Sequence, residues 1–239
     1  MSYLWHQLRS ALPLIVNRNG YVLDVTWVTL RVAFVSTFAA LVIGLPAGVA
    51  LGLGRFRGRR ALQILANASL GLPPIVVGLL VLLLLLPQGV FGSLHSAYTI
   101  TAVYVAQTLL ALPFIVALTP AAIQGLPPGL LHQARLLGAG RLQLAGLALR
   151  EARVGILAAA IAALGAALAE VGAVVMVGGN IQNYDQTLAS AVLQQVNDYA
   201  DYPYGLAISL VLLALIFVLL GVLTVLQQRG RINLRMRPL

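Results

Sequence analysis

Five long apolar runs, separated by short segments rich in arginine, divide this sequence of 239 residues. A helix needs about 20 apolar residues to cross a hydrocarbon core roughly 30 Å thick, because each residue advances 1.5 Å and no backbone group can stay unpaired in lipid. The sequence therefore predicts an all-α integral membrane protein with five transmembrane helices. The predicted spans are residues 25–53, 62–86, 97–120, 155–177 and 205–226.

The composition agrees with a chain whose main solvent is lipid. Hydrophobic residues make up 60% of it and charged residues 9%, whereas about a quarter of a soluble domain is charged. The net charge of +9 comes from arginines placed between the apolar runs, which argues for membrane orientation rather than nucleic-acid binding. The chain has no cysteine, and its three histidines lack the spacing of metal ligands. No metal site is expected.

The arginines also predict an orientation. With five spans, the segments after the first, third and fifth face the same side, and the positive-inside rule makes that side the cytoplasm. The N-terminus is then outside and the C-terminus cytoplasmic, in a multi-pass protein of the cell membrane. The arginines of these segments are Arg55, Arg57, Arg59 and Arg60, then Arg135, Arg141, Arg150 and Arg153, then Arg229, Arg231, Arg235 and Arg237.

The spans are expected to form one domain over residues 1–239, since there is no internal repeat and no linker rich in Gly or Ser. The N-terminus lacks the basic region and cleavage site of a signal peptide. Residues 1–20 form either an amphipathic segment along the outer interface or an arm packed against the bundle. The apolar residues at helical spacing there are Leu4, Trp5, Leu8, Leu12 and Ile15.

Residues 127–154 are too polar for the membrane and too long for a simple turn, and they predict two short cytoplasmic helices. Pro127 and Pro128 begin the first helix, and Gly138 with Gly140 ends it. An apolar face on such a helix packs either on the protein's own helix ends or in the groove of a partner. This face consists of Leu130, Leu131, Ala134 and Leu137.

The run Gln133-Ala134-Arg135-Leu136-Leu137-Gly138-Ala139 resembles the signature loop of ABC importer permeases, in which Glu-Ala-Ala, three residues and Gly form a coupling helix. His132 stands at the Glu position and Gln133 at the first Ala position, while the remaining positions of the motif fit. The resemblance implies a type I importer permease fold whose coupling helix docks on an ATPase. The implied coupling residues are His132, Gln133, Ala134, Arg135, Leu137, Gly138 and Ala139.

A second run resembles the permeases of tungstate uptake systems, which are relatives of molybdate permeases. It comprises Glu170-Val171-Gly172-Ala173 and Met176-Val177-Gly178-Gly179-Asn180-Ile181. The resemblance implies a permease subunit of an ATP-driven importer of tungstate, or of molybdate or another tetrahedral oxyanion. It also implies a homodimer, a cytoplasmic dimer of ATP-binding subunits that holds ATP and Mg, and an extracytoplasmic substrate-binding protein.

This chain is not expected to be catalytic or to bind a cofactor. A nucleotidase needs a glycine-rich loop that ends in Lys-Ser or Lys-Thr, and the sequence has no lysine. A membrane-embedded enzyme needs clustered acids, histidines or an activated nucleophile, and these clusters are absent from the sequence. A self-contained ion-coupled carrier, the alternative from a different class, usually has several intramembrane ionisable groups.

Candidate residues for a translocation path or gate interrupt the spans. The second span is broken by polar residues and prolines, which mark either a kinked packing helix or a pathway. In the third span Gln107 and Thr108 bridge helices or line a path. Glu170, an acid inside the fourth span, is expected to accept hydrogen bonds near the Gly178-Gly179 turn, with a gate role or protonation as alternatives. The candidates are Asn67, Ser69, Pro73, Pro74, Thr108 and Glu170.

Residues 178–204 form the predicted external segment. Adjacent glycines expose backbone amides that bind anions, and the tyrosines of this segment suit a membrane interface or a protein partner. The family resemblance implies that the binding protein docks here. The candidate docking residues are Gly178, Gly179, Asn180, Asn183 and Tyr184.

Overall fold

The computed structural model describes residues 9–11, 13–14, 19–127 and 129–235, with side chains as far as Gln228. No strand occurs in these residues, so the all-α prediction is confirmed. From residue 19 onward the helices are α1 (Asn19–Leu53), α2 (Arg59–Ser69), α3 (Pro74–Leu85), α4 (Ile100–Gln124), α5 (Leu130–Leu136), α6 (Arg141–Glu151), α7 (Arg153–Leu168), α8 (Gly172–Val177), α9 (Leu188–Asn197) and α10 (Tyr202–Arg235).

Three described helices, α1, α4 and α10, are each long and apolar enough to cross a membrane. Two further candidate spans are bent helix pairs, α2 with α3 at 104° and α6 with α7 at 68°. The described residues thus contain three to five candidate spans, which agrees with the predicted five only if each bent pair counts as one.

The interruption predicted in the second span is a complete break between α2 and α3. Proline has no N–H to donate and crowds the preceding turn, so it is tolerated at a helix start and not inside a helix. Pro73 and Pro74 accordingly stand at the beginning of α3, with Pro73 in an extended conformation. The break leaves α2 at a steep angle to α3.

The prediction of an unbroken fourth span over residues 155–177 is wrong. Helix α7 ends at Leu168 and a separate short helix, α8, begins at Gly172. The Oε1 atom of Glu170 accepts a hydrogen bond of 2.9 Å from the backbone N–H of Ala173. Because an unpaired N–H at a helix start is costly in an apolar environment, a carboxylate in this position favours a new helix over continuation of the old one.

Helices α1 and α4 run parallel and in close contact along a stripe of three glycines. A Cβ atom built on Gly44 would lie 3.0 Å from Ile115, on Gly48 2.6 Å from Thr119, and on Gly52 2.8 Å from Ile123. Both series advance by four residues toward the C-terminus, which fixes the parallel direction. Small residues at this spacing let two helix backbones approach in a membrane.

This register brings the C-terminal ends of α1 and α4 together. The adjoining residues 54–60 and 125–141 form what we call the arginine-rich end of the bundle. The opposite end holds the start of α4, where the N–H of Tyr98 donates to the carbonyl of Val177 at 3.0 Å. Thr29 of α1 also accepts a hydrogen bond of 2.8 Å from the N–H of Leu188, which ties α9 to the bundle.

Helix α9 lies within the segment that the sequence analysis treated as an irregular external stretch. Thr187 and Ser190 form a reciprocal capping box at its start. Its apolar side is buried, as Leu188 and Ala191 pack with Tyr204 of α10. Tyr204 is therefore a core residue, 1% exposed, and the prediction that it anchors at an interface is wrong.

Only part of the N-terminal segment falls in the described residues. Ala11 and Leu14 belong to the same apolar cluster as Val22, Val25 and Tyr204, which favours the packed arm for this part. The residues on which the amphipathic prediction rests, Leu4, Trp5, Leu8, Leu12 and Ile15, lie outside the described residues.

Arg59 closes the C-terminal end of α1 from the first turn of α2. Its Nε atom donates to the carbonyl of Leu51 at 2.6 Å and its Nη2 atom to that of Gly52 at 3.1 Å. These carbonyls have no partner within their helix, and a cation at a helix C-terminus is also favoured by the helix dipole.

We expect Arg59→Met to lower the stability of the protein by about 2 kcal/mol, the typical value of a charge-assisted hydrogen bond. The measurement is thermal unfolding in detergent. Arg60→Met is the matched control, because Arg60 is adjacent and exposed. Equal melting temperatures for the two variants would contradict the capping role.

Candidate functional site

A small, partly open cavity of about 120 Å³ lies where the two helix breaks face the continuous helix α4. The break between α2 and α3 borders it on one side, and the end of α7 with Glu170 borders it on another. Three of the six candidate path residues, Ser69, Pro74 and Glu170, are among its lining residues. The structure thus brings together residues that are up to 101 positions apart in sequence.

Gln107 of α4 also lines this cavity, and its side chain is 1% exposed. Neither its Oε1 nor its Nε2 atom has a hydrogen-bond partner among the described residues. A buried amide without partners costs on the order of 1–3 kcal/mol, and native proteins usually satisfy such groups with protein or ordered water. No bridge from Gln107 to another helix is found among the described residues, and its two amide atoms are themselves closed to solvent.

Glu170 enters the cavity as a half-buried carboxylate with one oxygen engaged by the α8 cap. The prediction that it accepts a backbone hydrogen bond is therefore confirmed, but the donor is the start of α8 and not the Gly178-Gly179 turn. Ser69, on the opposite wall, donates its hydroxyl to the carbonyl of Leu65 at 2.8 Å.

Asn67 lines a different cavity, of about 190 Å³, between α2 and the C-terminal half of α4. Gln63 and Gln124 share it, so its polar groups are carboxamides. The two remaining candidates, Pro73 and Thr108, are not among the described lining residues of either cavity. The hydroxyl of Thr108 instead donates to the carbonyl of Tyr104 in the preceding turn at 2.7 Å.

The predicted coupling segment forms helix α5 at the arginine-rich end. Gly129 precedes it with a φ of 92°, and Gly138 follows it with a φ of 86°. The N–H of Ala139 returns to the carbonyl of Ala134 at 3.0 Å, which ends the helix sharply. Pro128, which was expected to begin this helix, lies outside the described residues.

The apolar face predicted for α5 divides between two surroundings. Leu131 packs on a core cluster with Ile123 and Ala148, whereas Leu137 is 89% exposed. Two further leucines are exposed beside it, Leu136 in α5 and Leu142 at the start of α6. The polar members of the segment, His132, Gln133 and Arg135, are exposed as well.

The external candidate loop is organised by Asp185, a residue that the sequence analysis did not select. Its carboxylate is fully buried and accepts hydrogen bonds from the N–H of Gly179 at 2.5 Å and that of Ile181 at 2.6 Å. The N–H of Gly178 donates to the carbonyl of Val174. The hypothesis that these glycine amides are available to an external anion is wrong here, because the protein's own carboxylate occupies them.

The other docking candidates lie around the buried carboxylate of Asp185. Asn180 and Asn183 have positive φ angles of 49° and 64°, a conformation that asparagine tolerates better than most residues. Tyr184 is 43% exposed and Asn183 is exposed. A surface formed by fixed turns and an exposed tyrosine is suited to contact with a protein partner.

A family model described as the inner membrane component of binding-protein-dependent transport systems matches residues 44–232. The tungstate uptake system permease protein TupB of Peptoclostridium acidaminophilum is 30% identical over 228 residues, which cover 95% of this chain and 100% of that protein. A probable anion ABC transporter permease protein of Haloferax volcanii is 35% identical over 201 residues, or 82% of this chain and 86% of that protein.

The sulfate transport system permease protein CysT of Salmonella typhimurium is 30% identical over 218 residues, covering 88% of this chain and 78% of that protein. Among solved structures, a chain of the inward-facing MetNI methionine ABC transporter superposes with a TM-score of 0.68. Its sequence identity is 24%, and the match covers 89% of this chain and 95% of that chain. The structural likeness bears on the fold alone.

Proposed function

We propose that this chain, which belongs to the family of inner membrane components of binding-protein-dependent transport systems, imports a tetrahedral oxyanion, with tungstate as the leading cargo. As an ABC importer permease subunit it is the multi-pass membrane component of a transporter. Relatives named for tungstate, sulfate and molybdenum transport all support an oxyanion of this shape. The tungstate relative matches the largest share of both chains among these, which supports tungstate first.

The observation that carries the transport mechanism is the exposed leucine cluster of Leu136, Leu137 and Leu142 at the arginine-rich end. Three exposed leucines outside the long apolar helices need a protein partner, because large apolar patches in water are unfavourable. We assign this partner as a cytoplasmic dimer of ATP-binding subunits that holds ATP and Mg. The arginine-rich end then faces the cytoplasm, as the positive-inside rule requires.

The remaining partners complete the cycle. A second copy of this chain encloses the pathway, and an extracytoplasmic substrate-binding protein docks on the loop that contains Gly178, Gly179, Asn180, Asn183 and Tyr184. The cavity of Gln107 and Glu170 and the carboxamide cavity of Asn67 are successive parts of the path. ATP-driven closure of the partner moves α5, and the helix breaks beside the first cavity absorb the movement.

The test is reconstitution of this chain with its ATPase in liposomes, together with binding protein loaded with tungstate. We expect stimulated ATP hydrolysis and tungstate uptake, and we expect Arg135→Glu to reduce both by about tenfold through like-charge or unpaired contacts at the interface. Arg57→Glu is the control, an exposed arginine at the same end outside the coupling segment. Competition by molybdate and sulfate ranks the cargo.

Two results would contradict this proposal. If uptake proceeds without the ATPase and responds to an ion gradient, the chain is a self-contained carrier. If hydrolysis ignores both the binding protein and Arg135→Glu, the coupling assignment fails.

A further inference from the structure

We propose that Glu170, held by the start of α8 in the cavity where the two helix breaks face α4, is the anion barrier of the permease and prevents leakage of oxyanions when no ATP is hydrolysed. This inference rests on the proposed function, because it assumes that the cavity lies on the path of an oxyanion. A negative charge is unexpected on the path of an anion, and Glu170 lies where the two helix breaks meet α4.

The free hydrogen-bonding groups of the cavity do not suit an anion. One oxygen of Glu170 is engaged by the N–H of Ala173, which leaves the other as an acceptor. The amide of Gln107 has no partner among the described residues but is closed to solvent, so its N–H donors are not accessible to an anion. The hydroxyl proton of Ser69 is already donated to Leu65. Acceptors therefore predominate, and water is a better occupant than an oxyanion.

Electrostatics strengthens this exclusion. Two like charges repel in inverse proportion to the local dielectric constant, so a half-buried carboxylate acts more strongly on a dianion beside it than a fully solvated one does. The α8 cap holds the carboxylate in place, and Glu170 is the one acidic side chain among the described residues that line this cavity. A neutral solute of the same size is not subject to this repulsion.

The competing explanation is that Glu170 only caps α8. These two roles separate in Glu170→Gln, because the amide oxygen of glutamine has the same position and can still accept the N–H of Ala173. A capping role predicts little change in this variant. A barrier role predicts a change, because the charge alone has been removed.

The experiment measures passive tungstate leak from proteoliposomes that contain the whole transporter without ATP, with radiolabelled glycerol as the neutral solute. We expect Glu170→Gln to raise tungstate leak by about tenfold at low ionic strength and to leave glycerol leak unchanged. Asp24→Asn, which removes an exposed carboxylate near the start of α1, is the matched control and is expected to leave both unchanged.

A second variant keeps the proposal testable if Glu170→Gln does not fold. Gln107→Glu adds a carboxylate to the same cavity and is expected to lower ATP-driven uptake by about tenfold without raising leak. The proposal is overturned if tungstate leak does not rise in Glu170→Gln, if glycerol leak rises equally, or if Gln107→Glu takes up tungstate like the unmodified protein. Normal ATP-driven uptake in the unmodified protein keeps these failures distinct from failure of the proposed function.

Discussion

Replacing Gly48 by leucine is expected to prevent this protein from folding into a stable bundle. A Cβ atom at Gly48 would lie 2.6 Å from the Cβ of Thr119, and Thr119 is fully buried, with no space into which it can retreat. The leucine side chain adds three more carbon atoms beyond this clash. The two helices must therefore separate along their whole contact.

We expect Gly48→Leu to lower the free energy of unfolding by more than ordinary overpacking does, which is about 1–3 kcal/mol for extra methylenes in a well-packed core. The neighbouring contacts of Gly44 and Gly52 are also close, at 3.0 Å and 2.8 Å from an added Cβ, so the helices cannot relieve the clash by tilting about Gly48. In a protein whose net stability is about 5–15 kcal/mol, such a change removes most of the folded population.

The measurement is the yield and thermal transition of the detergent-solubilised protein, followed by tungstate uptake. Gly221→Leu is the matched control, because Gly221 lies in the membrane helix α10 with no atom within 4 Å of an added Cβ. We expect normal yield and uptake for this control and a near-complete loss for Gly48→Leu. Similar behaviour of the two variants would mean that the glycine stripe does not hold α1 against α4.

The long helices and the break in the second span follow from the sequence, because they depend on local properties. Helix α4 needs only a long apolar run, and the break before α3 needs only the missing N–H groups of Pro73 and Pro74. The glycine spacing of Gly44, Gly48 and Gly52 was also available in the sequence as a close-packing pattern. The identity of the helix against which these glycines pack was not available in the sequence, because it depends on tertiary contacts.

Two of the failures have one physical source, a carboxylate that accepts hydrogen bonds from backbone N–H groups within six residues of it. Residues 155–177 look like one span until Glu170 is seen to cap α8. The loop amides of Gly179 look available until Asp185 is seen to occupy them. Neither carboxylate differs in sequence from an exposed acid.

The candidate path shows the same limit. The structure brings Ser69, Pro74 and Glu170 to one cavity, and their role in a path stays a prediction. Periodicity gave no reason to prefer Gln107 over its neighbour Thr108, as both are polar residues in an apolar helix. The difference is that the hydroxyl of Thr108 bonds to its own helix, whereas the buried amide of Gln107 has no partner among the described residues.

Removing the carboxylate of Asp185 is expected to uncouple the transporter from its binding protein. Asp185→Ala removes the two hydrogen bonds that tie the N–H groups of Gly179 and Ile181 to the buried carboxylate, and a hydrogen bond to a charged group is worth about 1.5–3 kcal/mol. These N–H groups, in exposed residues, then turn to water and the loop is no longer held in one conformation. The proposed docking residues on it, Asn180 and Tyr184 among them, then lose the fixed arrangement that a binding protein requires.

The measurement is ATP hydrolysis by the reconstituted transporter as a function of the concentration of loaded binding protein. For Asp185→Ala we expect stimulation to fall by about tenfold, because the cost of ordering the loop is subtracted from the docking free energy. Basal hydrolysis should persist, since α5 and its exposed leucines lie at the other end of the bundle. Asp198→Ala, which removes an exposed acid at the end of α9, is the control and should respond like the unmodified protein.

The two activities locate the defect. Loss of basal hydrolysis together with stimulation would mean that Asp185 supports the whole bundle rather than the loop. Full stimulation in Asp185→Ala would mean that the binding protein docks elsewhere. If Asp185 acts by holding the proposed docking loop in place, only the stimulation of ATP hydrolysis by the binding protein is lost. Raising the concentration of binding protein then restores it.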